Sequence, residues 1–328
     1  MSFKVSINPS KCSFVTNENN TILDAALESR INLPHGCRDG ICGACKCKLV
    51  HGKIAHDKYN SALLNQHDLD DNYILLCKAK AKSNLIIDLP EFVNTSKVET
   101  VLAKIVKIDK IKDVIVLKLK LPINQQINFV AGQYLNLIYN DIKRSYSIAN
   151  VPGDDGLIEL HIKYHSKGVF SEILCNELGI GQLLRCQGPL GRFILKQTEN
   201  PILMVCTGTG FAPLKSMLEQ LVLQQSKRKI HFVWGNRATE NFYLTEMLNE
   251  WRQQLNITFT LCISQDEGAE FYSGRVTKYI ENTFNDLTDY EVYACGSGEM
   301  VEDLYKITTK KLLKKTSFYS DVFSISSV

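Results

Sequence analysis

No apolar run in the 328 residues approaches the roughly 18 that a membrane span requires, and the opening "MSFKVSINPSKC" lacks the apolar core of a secretory signal. The chain therefore reads as soluble and cytoplasmic, with no membrane partner. Its 38 Lys and Arg, against 35 Asp and Glu, form none of the runs or stripes that binding a phosphate backbone needs. Nucleic acid is set aside. Internal repeats and low-complexity segments are absent. A disulfide framework lacks its conditions too: the eleven cysteines are odd in number and come without an export signal, so reduced thiols are expected, some of them available to a metal. What remains is a globular chain, 45% hydrophobic, with room for two or three domains.

The cysteines are unevenly placed. The stretch "PHGCRDGICGACKCKLVHGK", residues 34–53, holds four of them within eleven residues. Cys37, Cys42 and Cys45 stand as C-x4-C-x2-C, and Cys77 lies thirty-two residues beyond Cys45. This is the ligand spacing of a plant-type [2Fe-2S] cluster. Three thiolates on one short loop reach two irons only if the backbone wraps the cluster, and Gly36, Gly40 and Gly43 supply the freedom for that. A zinc-stabilised binding module is the competing reading, but structural zinc favours paired C-x2-4-C knuckles and Cys77 has no such companion. The four histidines of this segment do not fall at ligand spacing, as a Rieske centre would require of two. Cys47, at the head of a strand pattern, and Cys12 are read as bystanders.

Residues 1–92 show short strand patterns ("FKVSIN", "CSFVT", "CKCKLV", "NLIIDL") around one helix, "TILDAALESR", with Thr21 as N-cap and Asp24 expected to close a capping box. That is a compact α+β module. The polar "EFVNTSKVET" follows as a connector. Residues 98–198 alternate in the strand manner, with one helix at "VFSEILCNEL", and predict a small antiparallel β-barrel. From 199 to 328 the rhythm becomes strand, Gly-rich turn, helix, four times over, which predicts a doubly wound parallel α/β sheet.

Four stretches of the last two segments suit phosphate groups and a stacked ring. In "RSYSIAN" the alternation sends Arg144 and Tyr146 to one face, a cation for a diphosphate and a ring for stacking, with Ser147 next. A solvated edge arginine is the plainer reading of that pattern alone. "SKGVFSEIL" offers Gly168, the backbone amides of Val169 and Phe170, and Ser171 at a helix start, an arrangement that cradles an anion. In "VCTGTGFAPLKSML", Thr207, Gly208, Thr209 and Gly210 form a strand-to-helix turn whose glycines let the backbone approach a pyrophosphate. Pro213 occupies the place of a third fingerprint glycine, so this is not the ordinary Rossmann motif. "VYACGSGEM" puts Cys295 and Gly296 at the carboxyl end of the fourth strand, where open α/β sheets bind ligands.

Taken in order, these motifs resemble a plant-type ferredoxin fused ahead of a flavoprotein similar to ferredoxin-NADP reductase, and the resemblance spans nearly the whole chain. It implies FAD on Arg144, Tyr146 and Ser147 with its pyrophosphate at Gly168 to Ser171, and a nicotinamide nucleotide on Thr207 to Gly210. It also implies Ser147 near the flavin N5, with Cys295 and Phe323 flanking the nicotinamide. Within the family, "TGTGFAPLKSML", "VYACGSGEM" and the tail "FYSDVF" most resemble reductases that serve CDP-hexose dehydrases of deoxysugar biosynthesis; reductases of bacterial oxygenases share the domain order and almost all the motifs. The implied activity passes electrons from NAD(P)H through FAD and the [2Fe-2S] cluster to a downstream metalloprotein, a dehydrase or an oxygenase. A stand-alone flavin or quinone reductase is the alternative. In NADPH-using relatives an Arg commonly follows the Ser at the end of the third strand; here "CISQDEG" has Gln265 after Ser264, then Asp266 and Glu267, which should repel a 2′-phosphate. Arg237 points the other way, and NADH is the expected donor. Residues 1–92 carry eleven basic and ten acidic side chains, without the acidity that steers free ferredoxins; a covalent tether makes steering unnecessary.

Overall fold

The computed structural model describes all residues except 11, 37, 41–42, 60, 62, 91, 93–97, 126, 154, 167, 267, 269 and 324–328. It forms two compact units, residues 1–99 with 189–192, and residues 100–188 with 193–323. No helix among the described residues is long and apolar enough to cross a membrane.

In the first unit β1 (Ser2–Asn8) and β2 (Ser13–Asn17) form a hairpin, α1 (Ile22–Glu28) follows, and then come β3 (Lys46–His51), β4 (Ile54–His56), α2 (Gln66–Asp70), β5 (Tyr73–Leu75), β6 (Ala79–Ala81) and β7 (Leu85–Asp88). The main sheet runs β2-β1-β7-β3-β5, with the parallel pair β1 and β7 at its centre. This is the β-grasp arrangement. Ile22, Leu23, Ala25 and Ala26 of α1 pack with Val5, Ile7, Leu85 and Ile87 of the sheet in one core. Thr21 caps α1 as expected, its hydroxyl oxygen accepting from the Asp24 amide at 3.1 Å. Asp24 does not close the box. Its carboxylate accepts instead from the Thr21 hydroxyl at 2.7 Å and from Arg38 at 2.6 Å, so the charge of the cysteine loop draws it away from the helix backbone. The reciprocal box occurs in α2, between Asn65 and Asp68, a helix too short to show in the hydrophobic pattern.

The second unit opens with β8 (Glu99–Ile111), β9 (Val114–Lys120), β10 (Tyr134–Tyr139), β11 (Ile142–Ser147), β12 (Leu157–Lys163), α3 (Val169–Asn176) and β13 (Leu183–Leu190). Their sheet runs β11-β10-β13-β8-β9-β12, and its two ends meet where Ile148 bridges Leu160. The antiparallel sheet is thereby curled into a barrel around Ile105, Leu117, Leu135, Leu160 and Leu184. Then follow β14 (Ile202–Thr207), α4 (Phe211–Leu223), β15 (Ile230–Asn236), α5 (Met247–Gln254), β16 (Ile257–Ile263), β17 (Tyr272–Ser273), α6 (Val276–Thr283), β18 (Glu291–Ser297), α7 (Gly298–Lys310) and β19 (Phe318–Phe323). These strands are all parallel, in the order β17-β16-β15-β14-β18-β19. Strands such as "ILMVC" are apolar throughout because helices cover both faces. The sheet is doubly wound, and the order reverses between β14 and β18. The sequence pattern differs from it in three places: Tyr272–Ser273 and the tail "FYSDVF" are further strands, and α5 starts at Met247 rather than Asn241, where a 3-10 turn intervenes.

Candidate functional site

The cysteine loop lies between α1 and β3. Cys45 enters β3 and Cys77 follows β5; the antiparallel pairing of those strands brings their sulfurs to 3.3 Å, both almost wholly buried. That separation exceeds a disulfide bond and suits two thiolates turned toward one iron. Cys37 and Cys42 lie outside the described residues, and no third ligand-type side chain joins the pair among those described. Gly40 and Gly43 have φ of 72° and 73°, left-handed values that let the loop curl back. Cys47 points into the core, 3% exposed, and burial pushes its thiol far up, which keeps it inert. Cys12 is half-buried.

On the barrel, β11 carries Arg144 and Tyr146 on one face, both half-buried, opposite Leu137 and Leu135. The Tyr146 ring lies 5.7 Å from that of Phe170 in the first turn of α3, so β11 and the α3 start share one wall. Burial raises the Tyr146 phenol, against the Arg144 charge. Arg144 donates to the Lys143 carbonyl at 2.9 Å and has no ion pair among the described residues. At α3, Gly168 is the N-cap and no side chain caps the first-turn amides of Val169 and Phe170. The Ser171 hydroxyl is committed to its own loop: it donates to the His165 or Gly168 carbonyl, each at 3.0 Å, and accepts from the His165 amide at 3.2 Å. A cation without an acid among the described residues, a half-buried tyrosine ring backed by the buried Phe170, and uncapped helix amides fit a flavin diphosphate.

The nucleotide turn joins β14 to α4 through a 3-10 turn, Gly208–Gly210. Its two glycines differ in task. Gly208 has φ 55° and faces open space, and its carbonyl accepts from the Trp234 indole at 3.1 Å. Gly210 is pressed on β18, where an added Cβ would stand 2.3 Å from the Cys295 carbonyl oxygen. Across the switch point Gly296, at φ 151°, passes Thr207 so closely that a Cβ would meet its hydroxyl at 2.2 Å. Thr209 lies between the glycines at the mouth. Thr207 to Gly210 and Cys295 to Gly296 therefore form one double turn at the carboxyl edge of the sheet.

Two strands bring the remaining residues together. Parallel register sets Cys295 beside Asp321 and Ser297 beside Phe323. Ser147, at the end of β11, lies with its hydroxyl 3.4 Å from the Asp321 carboxylate. Burial, then the negative charge of Asp321, hold the Cys295 thiol well above its usual range. It is a neutral thiol, not a nucleophile. Asp321 itself, 5% exposed, is absent from the sequence-based set; an acid in the apolar alternation of "FYSDVF" was its signal.

Three family models match in succession: a 2Fe-2S iron-sulfur cluster binding domain over residues 5–82, an oxidoreductase FAD-binding domain over 102–194, and an oxidoreductase NAD-binding domain over 204–306. A CDP-6-deoxy-L-threo-D-glycero-4-hexulose-3-dehydrase reductase from Yersinia pestis is 39% identical, covering 98% of this chain and 99% of its own. The chain belongs to the iron–sulfur flavoprotein reductases. Reductase component 2 of terephthalate 1,2-dioxygenase from Comamonas is 32% identical over 99% of this chain and 98% of its own. The structure of a cytochrome P450 reductase from Amycolatopsis shares the fold, with a TM-score of 0.82 at 23% identity over 99% of this chain and all of its own. The reductase is an NAD(P)H-dependent oxidoreductase, carrying electrons from the nicotinamide through FAD to the [2Fe-2S] cluster. When bound, the flavin supplies the conversion between a two-electron donor and a one-electron cluster. Ser147, Cys295 and Asp321 are all buried, and they bring a hydroxyl, a thiol and a carboxylate together where β11 meets β18 and β19.

Proposed function

We propose that this reductase draws electrons from NADH and delivers them to a separate metalloprotein, a dehydrase acting on a CDP-6-deoxyhexulose. The observation that carries this reading is the 39% identity with the Yersinia dehydrase reductase along essentially the full length of both chains, against 32% for the dioxygenase component. We assign residues 1–92 to the cluster domain, 98–198 to the FAD domain and 199–328 to the nucleotide domain. Cys37, Cys42, Cys45 and Cys77 hold the cluster. Arg144, Tyr146 and Ser147 hold the flavin, with its pyrophosphate on the amides of Gly168 to Ser171. Thr207, Gly208, Thr209, Gly210, Cys295 and Gly296 hold the nicotinamide nucleotide. Ser147, Cys295 and Phe323 surround the reacting rings, and the burial of the first two supports that role.

The choice of NADH rests on Asp266. Its carboxylate accepts from the Thr239 hydroxyl at 3.1 Å, which fixes a negative charge at the carboxyl ends of β15 and β16. A 2′-phosphate would be repelled there, whereas a ribose hydroxyl could donate to it. Glu267 lies outside the described residues. The deciding experiment supplies purified reductase and NADH to the Yersinia CDP-hexulose dehydrase and, in parallel, to the terephthalate dioxygenase oxygenase. NADH oxidation coupled to deoxysugar product only with the dehydrase is the expected result. Coupled turnover only with the oxygenase would transfer the chain to the second class.

A further inference from the structure

Between the barrel and the parallel sheet lies a buried charged cluster whose residues are outside those assigned to the cofactors. Helix α4 begins directly after the nucleotide turn, and three of its side chains reach the chain just beyond Ser147. The Lys215 ammonium donates to the Ala149 carbonyl at 3.0 Å, the Ser216 hydroxyl donates to the Asn150 carbonyl at 2.7 Å, and the Glu219 carboxylate accepts from the Val151 amide at 3.1 Å. Lys215 is 4% exposed and stands between two acids, Glu219 at 2.5 Å and Glu159 of β12 at 3.1 Å. Glu159 also accepts from the His161 ring at 2.9 Å and from Lys118 at 3.0 Å. Burial opposes its charge, but the His161 hydrogen bond and the Lys215 charge outweigh it and keep the carboxyl ionised. His161 in turn takes a hydrogen bond from the Tyr243 hydroxyl at 3.0 Å.

A second arm runs from the same histidine. The His161 ring lies against Phe211, the first residue of α4, and Phe211 stacks on Trp234 with ring centroids 4.2 Å apart. Trp234 holds the Gly208 carbonyl. The end of the flavin strand and the nucleotide turn are therefore tied to each other twice, once through charges and once through stacked rings.

We propose that Lys215 is a positioning residue for hydride transfer: its bonds to Ala149, Glu159 and Glu219 set the spacing between the Ser147 segment and the Gly208–Gly210 turn, and so the approach of the two rings. The proposal rests on the assignment of those two segments to flavin and nucleotide. A buried lysine paired this closely is costly to desolvate, and an apolar side chain would pack there more cheaply, so fold stability alone does not account for it. A misplacement on the order of 1 Å between reacting groups slows a reaction by roughly a hundredfold.

The experiment is anaerobic stopped-flow reduction of the holoprotein by NADH, with FAD content, nucleotide Kd and the long-wavelength flavin–nicotinamide absorbance band recorded alongside. In Lys215→Met, FAD content and Kd should stay within about twofold of the parent, while the reduction rate falls roughly 10- to 100-fold and the band weakens. Lys215→Arg should recover most of both. Ser147→Ala and Gly208→Ala test the underlying assignment: the first should slow reduction, the second should weaken nucleotide binding. If neither does, the assignment fails. If both do, and Lys215→Met is reduced at the parent rate with a full band, the positioning role alone is overturned. Should Lys215→Met not accumulate as holoprotein, Glu219→Gln, which weakens one of the three Lys215 contacts and keeps the side chain's size, carries the same measurement; a lowered melting temperature with unchanged rate and band would overturn the proposal.

Discussion

Gly210→Ala should disrupt the packing of the turn against β18 more than it blocks the open side of the turn. The added methyl would sit 2.3 Å from the Cys295 carbonyl oxygen and 2.7 Å from its carbon, roughly 1 Å inside ordinary contact, and both atoms are backbone in a strand held on two sides. Neither neighbour can rotate away, so β14 and β18 must part at their ends. Overpacking of this kind costs about 1–3 kcal/mol, and for a unit of this size that is a fall in melting temperature of roughly 2–12 °C. Gly208→Ala is the matched control. Its methyl meets nothing within 4 Å, and the left-handed φ of 55° costs only about 1–2 kcal/mol, but the methyl occupies the open mouth of the turn. Calorimetry of the holoprotein with NADH titration separates the two: Gly210→Ala should lose the larger share of melting temperature, and Gly208→Ala the larger share of nucleotide affinity. Equal melting temperatures for Gly210→Ala and the parent would refute the packing argument.

Cys77→Ser should lose iron and acid-labile sulfide while keeping FAD, and Cys47→Ser should keep all three; chemical iron and sulfide assays decide. Asp266→Asn should narrow the preference for NADH over NADPH by about tenfold, equivalent to roughly 1.4 kcal/mol, read as the ratio of kcat/KM values. A fragment beginning near Ser96 should fold, bind FAD and reduce ferricyanide with NADH, yet fail with cytochrome c, which takes electrons from the cluster; full-rate cytochrome c reduction by the fragment would place the cluster off the route. Acid should destabilise the flavoprotein unit in two stages. Burial holds His161 below its ordinary 6.5, so below that pH the unfolded chain binds a proton the folded one does not, and stability falls. Glu159, held below its ordinary 4.5, adds a second loss as pH drops further. His161→Gln should flatten the first stage in a urea-melt series from pH 7 to 5.

An α+β module, the barrel and the doubly wound sheet were legible from period-two alternation, apolar runs and glycine punctuation, because each reports which face of a local segment is buried; the β-grasp was legible only through the resemblance to a plant-type ferredoxin. The short α2 and the strand β19 were harder. Five residues are too few for a helical period, and "FYSDVF" carries an acid where an interior strand should be apolar. That acid is explained only by its neighbours, Ser147 and Cys295.

By itself the sequence determined the chemistry: cysteine spacing that names a [2Fe-2S] cluster, an Arg and a Tyr on one strand face, and glycine turns at strand ends. Those are local facts, set within a dozen residues by backbone geometry. The tertiary structure decided which of them meet. Cys77 reaches Cys45 through the β3–β5 register, Asp321 reaches Ser147 across 174 residues, and Gly210 is a glycine because of a carbonyl on another strand. Buried Lys215 shows the same limit. Nothing in the helix pattern of "APLKSMLEQLVLQQ" marks it, and only the packing of the barrel beside α4 buries it between the Ala149 carbonyl and Glu159. Periodicity tells a side chain which way to face; sheet order and register, which are set by long-range packing, determine what it faces.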